Sequence, residues 1–361
     1  MTIKPKAVVA MSGGVDSSVA AALLRDQGYD VIGLHLDTGV ETGAARADSP
    51  PDSPPLPAAE QVRRVGQALG IHIESLARHA EFERVIRTFA DEYARGRTPN
   101  PCIVCNERFK FAHLIEHADH VGAEIVATGH YARIVQREGS AMLARGVDRP
   151  KDQSYYLFRV SRRVLPRLRL PLGEMTKPQT REHARALGLP ALDRPESQDV
   201  CFASRFPYVE IVRRYHPEAL RPGEVHEPTG RVIGQHEGLA NYTIGQRRGL
   251  GIAAGQPMYV AGIDAAENAV TLGPREALLQ RRLVGSEARW LADPPDGPFR
   301  AHAKVRYRHR AAPATVTPLD GDRVETVFDE PQWAITPGQA VVFYDDEVLL
   351  GGAWIDARYD E

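Results

Sequence analysis

Apolar positions in the first two hundred residues follow two spacings. Short continuous runs, Ala7-Val-Val-Ala-Met11, Val31-Ile-Gly-Leu-His-Leu36 and Glu124-Ile-Val-Ala-Thr128, read as strands buried on both faces. Helical periodicity covers Val15 to Gln27, Ala58 to Leu69, Ala80 to Ala94 and Lys177 to Leu187, with Gly28 and Gly188 placed to end the first and last of these helices. Strands alternating with helices predict an α/β domain built on a parallel sheet. Ligands of such sheets sit outside the carboxyl ends of the strands, so the positions after Met11, Leu36 and Thr128 are expected to line one crevice for a nucleotide.

Past Phe206 the texture changes to short apolar segments broken by Gly and Pro, such as Arg221-Pro-Gly-Glu and Pro228-Thr-Gly-Arg, which read as small strands and turns. From Leu283 onward, alternation in Ala303 to Tyr307, Val324 to Phe328, Ala340 to Tyr344 and Val348 to Ile355 predicts an antiparallel barrel or sandwich. The chain thus divides into 1–205, a small central domain at 206–282 and a β domain at 283–361. A proline-dense stretch, Ser49 to Pro57, suits neither a helix interior nor a central strand and reads as a mobile loop.

Composition narrows the classes. With 43% hydrophobic and 25% charged residues over 361 positions, the chain is an ordinary globular protein. It has no run of roughly 18 apolar residues that would cross a membrane, and a cytoplasmic location is expected. The 45 Lys+Arg nearly balance 47 Asp+Glu, which argues against bulk binding of polyanions while leaving room for a local basic patch. Three cysteines, Cys102, Cys105 and Cys201, are too few for a disulfide framework, so redox, metal and nucleophilic roles come first.

Ser12-Gly-Gly-Val-Asp-Ser-Ser18 joins the first strand to the first helix. Gly13 and Gly14 let backbone amides approach an anion, the helix N-terminus adds partial positive charge, and Ser12, Ser17 and Ser18 bring hydroxyl donors. No Gly-Lys-Ser/Thr is present, so this is not the P-loop of kinases. The bland alternative is a glycine turn with a Ser/Asp cap. The string resembles the pyrophosphate loop of ATP pyrophosphatases, in which Asp16 would help hold Mg2+ against the phosphates.

Cys102-Ile-Val-Cys105 follows a proline-rich turn, and four readings compete: a zinc half-site, an iron–sulfur cluster on all three cysteines, inert buried cysteines, and reactive thiols. Arg108 and Lys110 favour the last, because nearby cations stabilise a thiolate. Cys201 ends the α/β part on a polar run and would sit on a loop. If the fold brings it to Cys105, the two sulfurs form a donor and acceptor pair. Farther on, Lys304-Val-Arg-Tyr-Arg-His-Arg310 alternates strictly and, if extended, puts four cations on one face for phosphates. The competing reading is a solvated strand face.

Seven blocks in order over nearly the whole chain resemble the tRNA-specific 2-thiouridylases. They are Ser12 to Ser18, Pro99-Asn-Pro-Cys-Ile-Val-Cys-Asn106, Ala127-Thr-Gly-His-Tyr-Ala-Arg133, Lys151-Asp-Gln-Ser-Tyr-Tyr-Leu157, Ser197-Gln-Asp-Val-Cys-Phe202, Tyr242 to Leu250 and Thr336-Pro-Gly-Gln339. The resemblance implies an adenine nucleotide alpha hydrolase-like (PP-loop) domain, a central domain and a β-barrel that grips tRNA. It implies ATP-dependent adenylation of uracil O2 at the wobble uridine, then transfer of a persulfide sulfur from Cys201 with Cys105 as partner thiol. ATP and Mg2+ would be the cofactors, with the nucleotide held by Ala10, Met11, Ser12, Gly13, Gly14, Val15, Asp16, Ser17, Leu36 and Gly129. By the same resemblance the tRNA would meet Asn100, Pro101, Cys102, His130, Lys151, Asp152, Gln153, Arg308, His309 and Gln339. A persulfide carrier or cysteine desulfurase would supply sulfur, and the protein would be a monomer, or a dimer formed weakly or only on tRNA.

Many members of that family carry Asp where Cys102 stands here, and the pattern aligns Cys105 with the nucleophile. Two rivals stay open. An ATP pyrophosphatase acting on a small carboxylate or amide would need no cysteine, and a zinc-dependent RNA-binding module would need no ATP.

Overall fold

The computed structural model describes residues 4–40, 57–190, 200–203, 207–252, 256–293 and 296–359. The proline-dense stretch, apart from Pro57, lies outside the described residues, as do residues 197–199 of the block that precedes Cys201. The chain forms two units. Met1–Glu83, Cys102–Ser204 and Glu347–Leu349 make up the first, and Arg84–Pro101, Arg205–Asp346 and Leu350–Glu361 the second.

The first unit runs through β1 (Lys6–Ala10), α1 (Val15–Asp26), β2 (Asp30–Asp37), α2 (Ala58–Leu69), β3 (His72–Ala77) and the start of α3 (His79–Ala94). It resumes with the short α4 (Pro101–Val104), α5 (Phe111–His120), β4 (Ile125–Ala127), the hairpin β5 (Ala132–Arg137) and β6 (Ser140–Arg145), β7 (Leu168–Arg169) and α6 (Lys177–Ala186). A parallel sheet is ordered β3-β2-β1-β4-β7. Its middle strands are buried on both faces, as their unbroken apolar runs require. Val19, Ala20, Ala21, Ala22 and Leu24 of α1 join Ala7, Val9 and Ala127 in the core, where small side chains let the helix pack closely. Successive strands run to one side of β1 until β4 returns on its other side, so the crevice beyond the ends of β1 and β4 is the switch point where α/β sheets bind ligands.

The second unit contains the rest of α3, α7 (Tyr208–Tyr215) and a four-stranded sheet of β8 (Gly223–His226), β9 (Val232–His236), β10 (Tyr259–Asp264) and β11 (Ala269–Gly273), ordered β10-β11-β8-β9. Six further strands follow: β12 (Leu279–Trp290), β13 (Phe299–Lys304), β14 (Ala312–Leu319), β15 (Arg323–Trp333), β16 (Ala340–Asp345) and β17 (Val348–Tyr359). Their order is β12-β15-β14-β13-β16-β17, and β12 pairs again with β17, which closes a barrel rather than leaving a sandwich. Leu283, Val316, Phe328, Phe343 and Ile355 fill its interior.

The basic row takes a different form from the one its alternation suggests. β13 ends at Lys304, and residues 305–309 form bends and a turn closed by a hydrogen bond from His309 N–H to Arg306 C=O at 3.1 Å. Lys304 is buried, Arg306 donates to Ile244 C=O at 2.8 Å and to the Thr336 hydroxyl, and only Arg308 and Arg310 are exposed. The four cations therefore do not share a face, because Arg306 is bound inward by a buried carbonyl and hydroxyl.

Candidate active site

The turn after β1 is shaped by its glycines and braced by its serines. Gly13 has φ +74°, a left-handed conformation that favours glycine. Ser17 and Ser18 donate their hydroxyls to Gly14 C=O at 3.2 and 2.8 Å, and Ser12 N–H donates to Ser17 Oγ at 3.2 Å. Ser18 is fully buried. The hydroxyls of Ser17 and Ser18 thus hold the loop in shape, and its backbone amides and the start of α1 are the groups available to an anion. Met11 N–H donates to Leu34 C=O at 2.8 Å and Met11 C=O lies 3.1 Å from the buried His35 Nδ1, which ties the loop to β2 just before Leu36.

Asp16, expected to face Mg2+, is engaged by the protein. Lys177 Nζ, at the start of α6, lies 2.7 and 2.8 Å from its two oxygens, and the Tyr131 hydroxyl donates to Oδ1 at 3.0 Å. While Lys177 holds both oxygens, Asp16 does not fit as a ligand for a divalent ion. Neither Lys177 nor Tyr131 was a nucleotide-site candidate. In sequence, Lys177 reads only as the first residue of a helix.

Gly129, at the end of β4, leans on this loop: a Cβ there would come within 2.7 Å of Asp16 C and 2.8 Å of Ser17 N. The next residue begins a second network. The His130 ring is buried, with Nδ1 2.7 Å from Thr128 Oγ1 and Nε2 3.5 Å from Lys110 Nζ. Burial, reinforced by the Lys110 charge, holds this imidazole well below its usual pKa and therefore neutral. Nε2 faces an ammonium and so accepts, which leaves Nδ1–H to donate to Thr128.

Lys110 belongs to a π-helical turn, Cys105–Lys110, between α4 and α5. Such turns are rare and concentrate at functional sites. Its Nζ donates to Asn106 Oδ1 at 3.0 Å, and Asn106 Nδ2 donates to Tyr156 C=O at 3.2 Å. All three thiols lie within electrostatic reach of Lys110, and Cys201 is also within reach of Cys105 and Cys102. The fold therefore brings Cys201 within electrostatic range of the Cys-x-x-Cys turn, 96 positions earlier in the chain (201 − 105).

Burial pushes the Cys201 thiol up to about 12 and Cys102 up to about 11, and it raises Cys105 as well. Neighbouring sulfurs add to the rise at Cys201 and Cys102, while Lys110 draws all three back. Cys102 and Cys201 nonetheless expose surface to solvent. Among the described residues, no group of three or more His, Cys, Asp or Glu could hold a metal ion.

The residues expected at tRNA divide into braces and exposed groups. Asp152 is buried and accepts from Gly146 N–H and Ser154 N–H, each at 3.1 Å, and Gln153 exchanges hydrogen bonds with the Tyr131 backbone at 2.8 and 2.9 Å. Lys151, in the adjoining turn, is half-buried. In the second unit, the Gln339 side-chain amide donates to Thr98 C=O and Pro99 C=O at 3.0 and 3.1 Å, beside Gly338, whose φ of +88° and close approach to Thr98 account for the Pro-Gly-Gln string. This fixes the backbone just before Asn100 and Pro101. Arg308 is exposed, and His309 lies tilted 6.4 Å from the Trp333 ring.

Family models match the chain in three stretches. A tRNA methyl transferase HUP domain covers residues 5–205, a tRNA methyl transferase PRC-barrel domain residues 210–274, and an aminomethyltransferase beta-barrel domain residues 280–355. The tRNA-specific 2-thiouridylase MnmA of Syntrophotalea carbinolica is 44% identical, over 96% of this chain and 97% of its own length. The enzyme of the same name from Geobacter metallireducens is also 44% identical, over 99% and 98%, and that from Carboxydothermus hydrogenoformans 45%, over 98% and 98%. With end-to-end identity at this level, and the phosphate loop and all three cysteines in one unit, the chain belongs to the tRNA-specific 2-thiouridylase family.

Proposed function

We propose that this chain uses ATP to replace O2 of the wobble uridine of tRNA with sulfur. One observation carries the reading: Gly129 packs against Asp16 and Ser17 of the phosphate loop, the adjoining His130 meets Lys110, and all three thiols lie within electrostatic reach of that lysine. Activation by a nucleotide and attack by sulfur thus share a site. The domain descriptions speak of methyl transfer, which calls for no thiol, and three cysteines within electrostatic reach of one lysine favour thiolation.

The uracil O2 attacks the α-phosphorus of ATP and pyrophosphate leaves. The terminal sulfur of a Cys201 persulfide attacks C2 and AMP leaves. Cys105 then attacks the Cys201 sulfur, which breaks the S–S bond, releases 2-thiouridine and leaves a Cys105–Cys201 disulfide for an external thiol to reduce. Backbone amides at Ser12 to Val15 hold the phosphates, and Mg2+ enters as their counter-ion. A flipped base is the geometry that exposes O2. Residues 1–205 carry the chemistry and the barrel at 283–361 grips RNA through groups such as Arg308. A persulfide carrier or cysteine desulfurase in the cytoplasm loads Cys201.

The test incubates the full chain with Mg-ATP, a persulfide donor and unmodified tRNA, then weighs the digested nucleosides. We expect a 2-thiouridine peak that requires ATP and is lost in Cys105→Ser and in Cys201→Ser. Release of AMP and pyrophosphate with uridine left intact would overturn RNA as the acceptor while keeping the nucleotide chemistry.

A further inference from the structure

Lys110 is a cation that neither nucleotide binding nor RNA contact accounts for. In an α-helix, a residue five positions after another lies about 140° away around the axis. The i→i+5 winding of Cys105–Lys110 instead returns residue 110 to the side of residue 105. Two groups then fix its ammonium. Asn106 Oδ1 accepts at 3.0 Å, and the neutral His130 ring presents Nε2 at 3.5 Å. The other charges of the turn are engaged with each other: Glu107 pairs with Arg159 at 2.7 Å and Arg108 at 3.6 Å.

We propose that Lys110 is the charge-positioning residue of the sulfur-transfer cluster: its ammonium, fixed between Asn106 and His130 on the π-wound turn, stabilises whichever of Cys102, Cys105 and Cys201 is the anion. The need for it follows from the surroundings of the sulfurs. The thiolate is the nucleophile, and burial works against it at each sulfur. At neutral pH, thiols raised in this way stay almost wholly protonated. Lys110 is the charge that favours the anion at all three positions. His130 thereby acts through Lys110, with its lone pair holding the ammonium in place. The use of this arrangement in sulfur transfer rests on the proposed thiolation, but its effect on the thiols does not.

The experiment therefore reads the thiols directly. Full-length protein is alkylated with iodoacetamide across pH 6.5 to 10.5 (a range of about four units around the thiol reference value), and the rate at each cysteine is followed by peptide mass spectrometry. In Lys110→Gln, the pH profiles of Cys105 and Cys201 are expected to move up by about one unit, which makes alkylation at pH 8 about tenfold slower. Lys110→Arg keeps the charge and is expected to restore the profile. If the Gln variant fails to fold, Lys110→Met, similar in length but without a polar head, takes its place. Unmoved profiles in a folded, uncharged variant would overturn the proposal, as would a shift in Lys110→Arg equal to that in Lys110→Gln. A moved alkylation profile in a protein that makes no 2-thiouridine would retain Lys110 and reject the reaction. An unmoved profile in an active thiolase would do the reverse.

Discussion

A thiol at position 102, where the family resemblance leads one to expect an aspartate, changes what that position can do. Its proton is held up to about 11 by burial and by Cys105, so at neutral pH Cys102 neither carries the negative charge nor offers the ready proton exchange of an aspartate. We expect Cys102→Ser to keep the initial rate of 2-thiouridine formation within about threefold, against a loss beyond a hundredfold in Cys105→Ser, a gap of about 2 kcal/mol or more in barrier height. Equal losses in the two variants would show that all three sulfurs act together. Other residues show what a sequence hides. Lys177 stands 161 positions after Asp16 and meets it only because α6 packs beside α1. Lys110 was visible as a cation near Cys105, but the partners that aim it, Asn106 and His130, come from the winding of one turn and the end of a strand.

Elements were most legible where burial is uniform. The strands at residues 6–10, 30–37 and 125–127 and the helices at 15–26 and 58–69 follow from apolar runs and glycine stops, and the structure places them within about two residues of those signals. The row from Lys304 to Arg310 departs from the strand its alternation predicts, because alternation over seven residues does not separate a strand from a turn whose arginine is bound inward. The hairpin β5–β6 and the turn at 105–110 carry no such signal, since six residues do not distinguish π from α periodicity. The join between β4 and the phosphate loop is the element contact most open to test. Backbone atoms of Asp16 and Ser17, not a flexible side chain, face Gly129. Gly129→Ala is expected to cost about 1–3 kcal/mol of stability and to weaken binding of a non-hydrolysable ATP analogue at least tenfold, read by thermal melting and calorimetry. Unchanged affinity would mean that the loop holds its shape without this contact.

For the whole molecule, a net charge of −2 makes recognition of a polyanion a matter of a few placed cations. Arg308, exposed on its turn, is one such group. Arg308→Gln is expected to weaken tRNA binding alike for matched and unmatched anticodons and to reduce the slope of log affinity against log salt by about 1, measured by filter binding over a salt series. A loss confined to one anticodon would make it a base-reading residue instead. The π-wound turn has a consequence of another kind, for where this chain tolerates insertion and deletion. Each residue added to or removed from a helix turns everything beyond it by about 100°. One insertion between Cys105 and Phe111 would swing Lys110 away from the thiols and rotate the buried face of α5, Phe111, Leu114 and Ala118, out of the core, whereas one deletion lets the turn rewind as α with the lysine four positions after the cysteine and about 40° from it. Lengthening there is opposed twice, by chemistry and by folding, so the spacing between the cysteine and the lysine should be harder to extend than to shorten by one.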